Sequence, residues 1–395
     1  MTNDLVLGLG GCVDFEIAWD AEVLAGLAQH YGIRRADLDV TVPVEDERSL
    51  VISVLSFLDA DQGGERFIAT SQLGIDFAER FRYKISLGGT CVRAALAIAK
   101  LGVPSLVHLV SIDDNVRRLL PSQISYLCSA TDDTLDPHVI VQFPGGAEVP
   151  LVDGVVRSTH PNRIIFVNDP PNRDLALSPE LPSALVGASA FLPSGFNVMR
   201  DPALLRERLT FLRAAMRHLP DSALVFYEDA GFHDEEMRRI VSREFSGRVD
   251  VHSLNEDELQ SYLGRRVDLL DVAQVKQALA DFFHDFSIAP TVVVHTKYWA
   301  LAFGKDPARY AAGLAGGIEL AGVRFGYGDD FTAADLAAVR ALPAQPQGEA
   351  FAAAISAELG SAVCCLASKL IEIERPTTIG LGDTFVGGFL SAGRF

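Results

Sequence analysis

From Ala190 onward the chain repeats one unit, a short apolar run followed by a helix-spaced stretch. The runs are Ala190-Phe191-Leu192, Leu224-Val225-Phe226, Val249-Asp250-Val251 and Thr291-Val292-Val293-Val294. Strands alternating with helices give parallel βαβ units with right-handed crossovers. Each run ends on polar residues: Pro193-Ser194-Gly195-Phe196-Asn197, Tyr227-Glu228-Asp229, Ser253-Leu254-Asn255-Glu256-Asp257-Glu258, and His295-Thr296-Lys297-Tyr298. In doubly wound sheets ligands gather at the carboxyl ends of strands, so four polar ends on one side describe one crevice.

The N-terminal half is less regular. Leu5 to Asp14 reads as one short strand closing on glycines and an acid, which places Asp14 to hold a polar ligand; an ordinary strand-end turn is the alternative. Amphipathic spacing predicts helices over Ala21 to His30, Glu45 to Ala60 and around Ile75 to Phe81, followed by a strand over Arg82 to Ser86. Leu87-Gly88-Gly89-Thr90 then opens a small-residue helix, Cys91 to Leu101. Gly88 and Gly89 allow a ligand to approach the backbone closely, or form a solvated loop. Further strands are expected over Ser105 to Val110, Val139 to Phe143 and Arg163 to Val167. Asn168-Asp169-Pro170-Pro171-Asn172 cannot continue a central strand, because proline lacks the N–H, and marks the exit from a small, mostly β appendage. Leu342 to Gly348 reads as a surface loop.

Near the C-terminus, Gly380-Leu381-Gly382-Asp383-Thr384-Phe385 follows Pro376-Thr377-Thr378 and reads as a turn opening a helix. The N–H groups of a helix's first turn are unpaired and partly positive, which makes an anion site. An acid there, Asp383, suits a base beside developing negative charge, as phosphoryl transfer requires. A glycine C-cap followed by an N-capping Asp is the ordinary alternative. Glu256 and Glu258 fit a helix first turn, where carboxylates favour the dipole. Together with Glu228 they also suit Mg²⁺, which takes oxygen ligands and binds largely through substrate phosphates. His295, ending a β run, is a ligand or base candidate or a structural residue.

At 395 residues with 49% apolar content the chain can form one large α/β domain with an appendage, or two domains. Lys and Arg number 34 against 52 Asp and Glu, a formal charge of −18 that excludes a phosphate-tracking nucleic-acid surface. An anionic ligand must therefore be met by a few placed residues, backbone N–H groups and metal ions. Five cysteines in no disulfide or metal-ligand spacing fit a reducing cytoplasm. Neither a membrane span nor a signal peptide is expected.

This order of signals resembles the ribokinase-like superfamily and, more finely, its ADP-dependent glucokinase and phosphofructokinase family. Cys12-Val13-Asp14 resembles the family's sugar-binding strand end, Gly64-Glu65-Arg66-Phe67 its glucokinase lid segment, and Leu87-Gly88-Gly89 its Gly-Gly turn. Pro161-Asn162-Arg163-Ile164-Ile165-Phe166, Ser194-Gly195-Phe196-Asn197 and Asn255-Glu256-Asp257-Glu258 resemble its Asn-Arg-Phe-Ile strand, a pocket segment and its Mg²⁺-associated Asn-Glu-x-Glu motif. Val294-His295-Thr296 resembles its adenine-receiving strand end, and Gly380-Leu381-Gly382-Asp383 its anion hole and base.

The resemblance implies a three-layer α/β/α sandwich with a smaller, mostly β lid. The expected division is 1–13, 87–131 and 173–395 for the large domain, and 14–86 and 132–172 for the lid. It implies that Asp383 deprotonates the acceptor hydroxyl while the N–H groups of Leu381, Gly382 and Asp383, with Gly380 at the turn, stabilise the transferring group. Asp14, Glu65, Gly88, Gly89 and Asn197 would hold the sugar; Arg163, Asn255, His295 and Thr296 the nucleotide; Glu228, Glu256 and Glu258 the Mg²⁺. The expected partners are ADP or ATP and a sugar or sugar phosphate, with the chain a monomer or small homo-oligomer.

Two departures stand out. Gly10 occupies the place of a family asparagine, and Phe226-Tyr227-Glu228 keeps the acid of a His-x-Glu motif without its histidine. A glucose-like hexose is the first expected acceptor and fructose 6-phosphate the second, because the lid-like segments offer only Arg66, Arg82, Lys84 and Arg93 for a sugar phosphate. An ATP-dependent ribokinase-like sugar or nucleoside kinase, and a non-catalytic sensor of the same fold, are the competing readings.

Overall fold

The computed structural model describes residues 4–393 apart from 233, 374, 375 and 378. The first three residues, and Thr378 before the glycine turn, lie outside the described residues.

The apolar runs assemble a nine-stranded sheet in the order Ile124–Cys128, Ser105–Leu109, Leu5–Leu7, Ala190–Leu192, Leu224–Glu228, Val251–Asn255, Thr291–His295, Trp299–Gly304 and Val363–Ala367. The first seven strands are parallel and the last two antiparallel. Alternate side chains leave a strand by opposite faces. Leu224 and Phe226 accordingly join one core while Val225 and Tyr227 join another. A sheet apolar on both faces needs helices on both. Thr90–Ala99, Ala311–Tyr327 and Leu381–Ala392 cover one face, and Pro202–Ala215 and Glu235–Phe245 the other. A third core surrounds Trp299 at the antiparallel end. The architecture is the expected three-layer α/β/α sandwich.

A second, five-stranded sheet runs Gly64–Phe67, Asn162–Val167, His138–Phe143, Cys12–Ile17, Tyr83–Gly88. The apolar helix Glu47–Asp59, capped by Asp46, belongs to the core that this sheet shares with one face of the large one. Among the described residues no helix is long and apolar enough to cross a membrane.

Several elements differ from expectation. Leu5 to Asp14 is two strands: Leu5–Leu7 in the large sheet and Cys12–Ile17 in the small one. Between them Gly10 and Gly11, at φ +90° and +136°, adopt backbone conformations that L side chains rarely take, and the chain passes from one sheet to the other. Asp14 thus lies within a strand of the small sheet. The expected strand at Val249 starts at Val251, because the Asp250 carboxylate accepts the Val225 N–H at 2.8 Å. The helix expected around Ile75 to Phe81 is Ser71–Ala78, started by the Thr70 side chain on the Leu73 N–H. Within the loop expected over Leu342 to Gly348, Pro346 opens the helix Pro346–Leu359; proline suits a first helical position, whose N–H would be unpaired in any case.

Candidate active site

The glycine turn is a helix start. Gly380 caps Leu381–Ala392 at φ +65°, and a Cβ there would lie 2.9 Å from Cδ of Arg93. Thr384 N–H is bonded to the Gly380 carbonyl at 3.0 Å. The N–H groups of Leu381, Gly382 and Asp383 therefore have no acceptor within the helix. Thr384 through Leu390 are buried, so packing fixes the helix axis and with it the direction of those N–H groups.

Asp383 faces a cleft between the two sheets. Asp14, Glu65 and Arg163 line it from the small sheet, and Gly89, Asn197 and Gly380 from the large-sheet side. Gly88 acts by absence: a Cβ there would collide with the Asp14 carboxylate and the Cys12 thiol.

Arg93 ties this wall together. Buried in its helix, it donates from Nη2 to Asp14 Oδ2 at 2.5 Å, stands 3.8 Å from Glu16, and brings Nε to 3.9 Å from Asp383 Oδ2. One cation thus bridges the expected acceptor carboxylate and the expected base. A lone arginine among Cys91, Val92, Ala94 and Ala95 is the sequence signal that marks it, since a charge in an apolar helix must be paired. On the opposite wall, burial lowers the pKa of Arg163, and the Asp383 carboxylate opposes that shift. Among the described residues Arg163 has no ion-pair partner. Of the other cations expected to hold a sugar phosphate, Arg66 donates to the Val42 carbonyl and Lys84 pairs with Asp329; Arg66, Lys84 and Arg82 all lie outside the cleft lining.

Apart from Arg163, the expected nucleotide residues Asn255, His295 and Thr296 and the expected metal residues Glu228, Glu256 and Glu258 sit farther along the large sheet and do not line this cleft. Asn255 caps the helix Glu256–Leu263, accepting from Asp257 and Glu258 N–H, while Glu258 accepts the Asn255 N–H. The Thr296 hydroxyl is used in the tight turn to Trp299. His295 stacks on Phe385 of the Asp383 helix at 4.5 Å and bonds Glu228 Oε1 at 3.0 Å. Glu228 Oε2 is buried with no hydrogen-bond partner among the described residues. Burial, then Asp229 and Glu228, push the Glu258 carboxyl well above its usual range; burial also raises Glu256.

That arrangement predicts a trade-off. A carboxyl whose folded pKa is raised contributes stability fully present below its unfolded pKa, near 4.5, and lost as pH rises through the folded value. At neutral pH the ligand-free protein therefore carries a cost at Glu258. Glu258→Gln is expected to stabilise it by about 1 kcal/mol, read by urea denaturation at pH 7, with the gain shrinking as pH falls towards 5. Gln keeps the acceptor for the Asn255 N–H, so the helix cap survives.

The model of the ADP-specific phosphofructokinase/glucokinase conserved region matches residues 3–268. The chain belongs to this family. No curated protein matches it at a significant level. Solved structures share its fold at low identity. A phosphofructokinase from Pyrococcus horikoshii OT3, determined with AMP, is 16% identical, covers 98% of this chain and 97% of its own, and has a TM-score of 0.76. A last common ancestor of ADP-dependent phosphofructokinases from Methanosarcinales is 14% identical, with 99% and 94% covered and a TM-score of 0.74. An ADP-dependent kinase in complex with fructose-6-phosphate and ADPβS is 13% identical, with the same coverage and TM-score.

The surroundings of Gly10 and Phe226 are specific. Gly10 lies against Asn172: a Cβ at Gly10 would collide with the Asn172 carboxamide oxygen. Asn172 accepts the Gly11 N–H at 3.2 Å, donates to the Gly11 carbonyl at 2.8 Å, and lines the cleft. Asn172 thus reaches this turn from a segment 161 residues beyond Gly11. Phe226 is buried against Phe389, and Glu228 has an imidazole partner in His295 two strands over. Cys12 and His138 also line the cleft, and no spacing in the sequence assigns them there.

Proposed function

We propose that this cleft transfers the terminal phosphoryl group of ADP to a hydroxyl of a neutral hexose. The observation that carries the reading is Asp383 standing among the free N–H groups of its own helix, with Arg163 facing it from the other sheet. The carboxylate accepts the proton of the attacking hydroxyl, and the N–H groups receive the charge that grows on the phosphoryl oxygens. Arg163 supplies the donor phosphates with a cation that has no ion-pair partner among the described residues. Arg93 holds Asp14 in one rotamer, leaving Oδ1 for an acceptor hydroxyl. The AMP and ADPβS bound by proteins of the same fold support ADP as donor.

Of the residues expected to hold Mg²⁺, Glu228 and Glu258 are near enough for one carboxylate to raise the pKa of the other, and Glu228 Oε2 has no hydrogen-bond partner among the described residues. These two would hold the ion, and Glu256 is not grouped with them. Mg²⁺ would neutralise donor phosphates and lower the charge that the attacking hydroxyl must approach.

The acceptor assignment rests on charge. Arg93 is committed to Asp14, and Arg163 is needed by the donor, so no arginine lining the cleft is left for a second phosphate. Fructose 6-phosphate is the second reading, favoured by the kinase of the same fold that binds it. Steady-state kinetics with glucose, other neutral hexoses and fructose 6-phosphate separates the two. A kcat/KM at least tenfold higher for a neutral hexose is expected; the reverse ranking assigns the phosphorylated acceptor.

A further inference from the structure

On the acceptor wall of the cleft, three unlike side chains converge. Cys12 Sγ lies 3.3 Å from Asp14 Oδ1 and 3.4 Å from His138 Nδ1, and those two atoms are 3.9 Å apart. Zinc binds sulfur at about 2.3 Å and nitrogen or oxygen at about 2.0–2.1 Å in tetrahedral sites. The edges of such a tetrahedron are about 3.5 Å from sulfur to nitrogen or oxygen and about 3.3 Å from nitrogen to oxygen. The observed triangle is one face of that figure, open by about 0.6 Å on its nitrogen–oxygen edge.

Two of the three ligand atoms are also aimed by a partner behind them. His138 Nε2 meets Asp169 Oδ2 at 3.0 Å and Nδ1 faces Cys12, so a ring that ligates through Nδ1 keeps its proton on Nε2 against the carboxylate. Asp169 is held in turn by Asn172, whose Nδ2 donates to Oδ2 at 2.7 Å and whose N–H donates to Oδ1 at 3.0 Å. A carboxylate behind a ligating histidine is the usual outer support of a zinc site. Asp14 uses Oδ2 for Arg93 and so presents Oδ1. Bare Gly88 leaves room for both Asp14 and Cys12. All three ligands line the cleft, so the fourth position opens onto it.

We propose that Cys12, Asp14 and His138 form a site for a thiophilic divalent cation, Zn²⁺ or Co²⁺, distinct in position and chemistry from the Mg²⁺ expected beside the donor phosphates. Binding sends the Cys12 thiol proton, and any proton on His138 Nδ1, to bulk water, and the ion takes the thiolate, the Nδ1 lone pair and a carboxylate oxygen. The fourth position holds water or a hydroxyl of a sugar. Mg²⁺ does not compete, since it takes hard oxygen ligands. The regulatory consequence, that the ion and the acceptor compete for Asp14, rests on the kinase reading above; the binding itself does not.

The test is spectroscopic and needs no turnover. The full chain, reduced and stripped with chelator, is titrated with Co²⁺. One equivalent is expected to give thiolate-to-cobalt charge transfer in the near ultraviolet with tetrahedral d–d absorption in the visible, and Zn²⁺ is expected to abolish both. Cys12→Ser is expected to remove the charge-transfer band, while a Cys364→Ser/Cys365→Ser variant keeps it. Asp169→Asn, which retains every ligand, is expected to weaken Zn²⁺ binding 10–100-fold with its far-ultraviolet circular dichroism unchanged. Absence of the band in the unmodified protein, or its persistence in Cys12→Ser, overturns the site. With the kinase active, low Zn²⁺ is expected to raise the KM for the acceptor and not that for ADP. A protein that binds Co²⁺ as described but turns over no acceptor refutes the kinase reading and leaves the metal site standing.

Discussion

Asp383→Asn is expected to lower kcat by about 10³-fold, the range over which a positioned general base acts, while the Kd for ADP changes less than threefold. The asparagine keeps the shape and leaves the backbone N–H groups of Leu381, Gly382 and residue 383 where the packed helix puts them. What is lost is the acceptor for the hydroxyl proton, an interaction made in the transition state and absent when nucleotide alone is bound. Steady-state kinetics with calorimetric ADP titration reads both quantities. A fall in kcat below tenfold, or parallel losses in kcat and ADP binding, removes Asp383 from the role of base.

Arg93→Met is expected to destabilise the fold by about 3–5 kcal/mol, because it strands a buried carboxylate. Asp14 is 3% exposed and Glu16 stands only 3.8 Å from the same guanidinium, so losing it leaves two carboxylates close together with little solvent at Asp14. The double variant Arg93→Met/Asp14→Asn is expected to recover most of that loss, since removing both partners of a buried pair is far cheaper than removing one. Urea denaturation of the four proteins in the cycle measures the coupling. If the single variant loses less than about 1 kcal/mol, the pair is screened by solvent and Arg93 does not organise the wall. Arg93→Lys keeps the charge without the planar fork and is expected to fall between.

How much of this was legible in the chain follows from the range over which each signal acts. The large sheet was readable because buried parallel strands are short apolar runs, and the polar residues closing Ala190–Leu192 and Leu224–Glu228 do stand at the carboxyl ends of strands. The turn at Gly380 was readable because a positive φ and a bare helix start demand particular residues within four positions. The split at Gly10 was not, since the neighbouring apolar residues suit either sheet and only the strands that pair with them decide. The third and fourth polar strand ends were expected in the same crevice, yet Asn255 and Thr296 spend their side chains on a cap and a turn, and the cleft is closed by the small sheet instead. Cys12 meets His138 across 126 residues of sequence and Gly11 meets Asn172 across 161, and no local pattern records such meetings.

The most direct test follows phosphorus. Wild-type protein, Mg²⁺, ADP and a neutral hexose, observed by ³¹P NMR, are expected to yield AMP and a hexose phosphate in equal amounts. Neither product should form without the sugar, and turnover with ATP in place of ADP should be at least tenfold slower. Phosphorylation from ATP with ADP inert, or no AMP with any hexose or hexose phosphate while ADP binds tightly, contradicts the account.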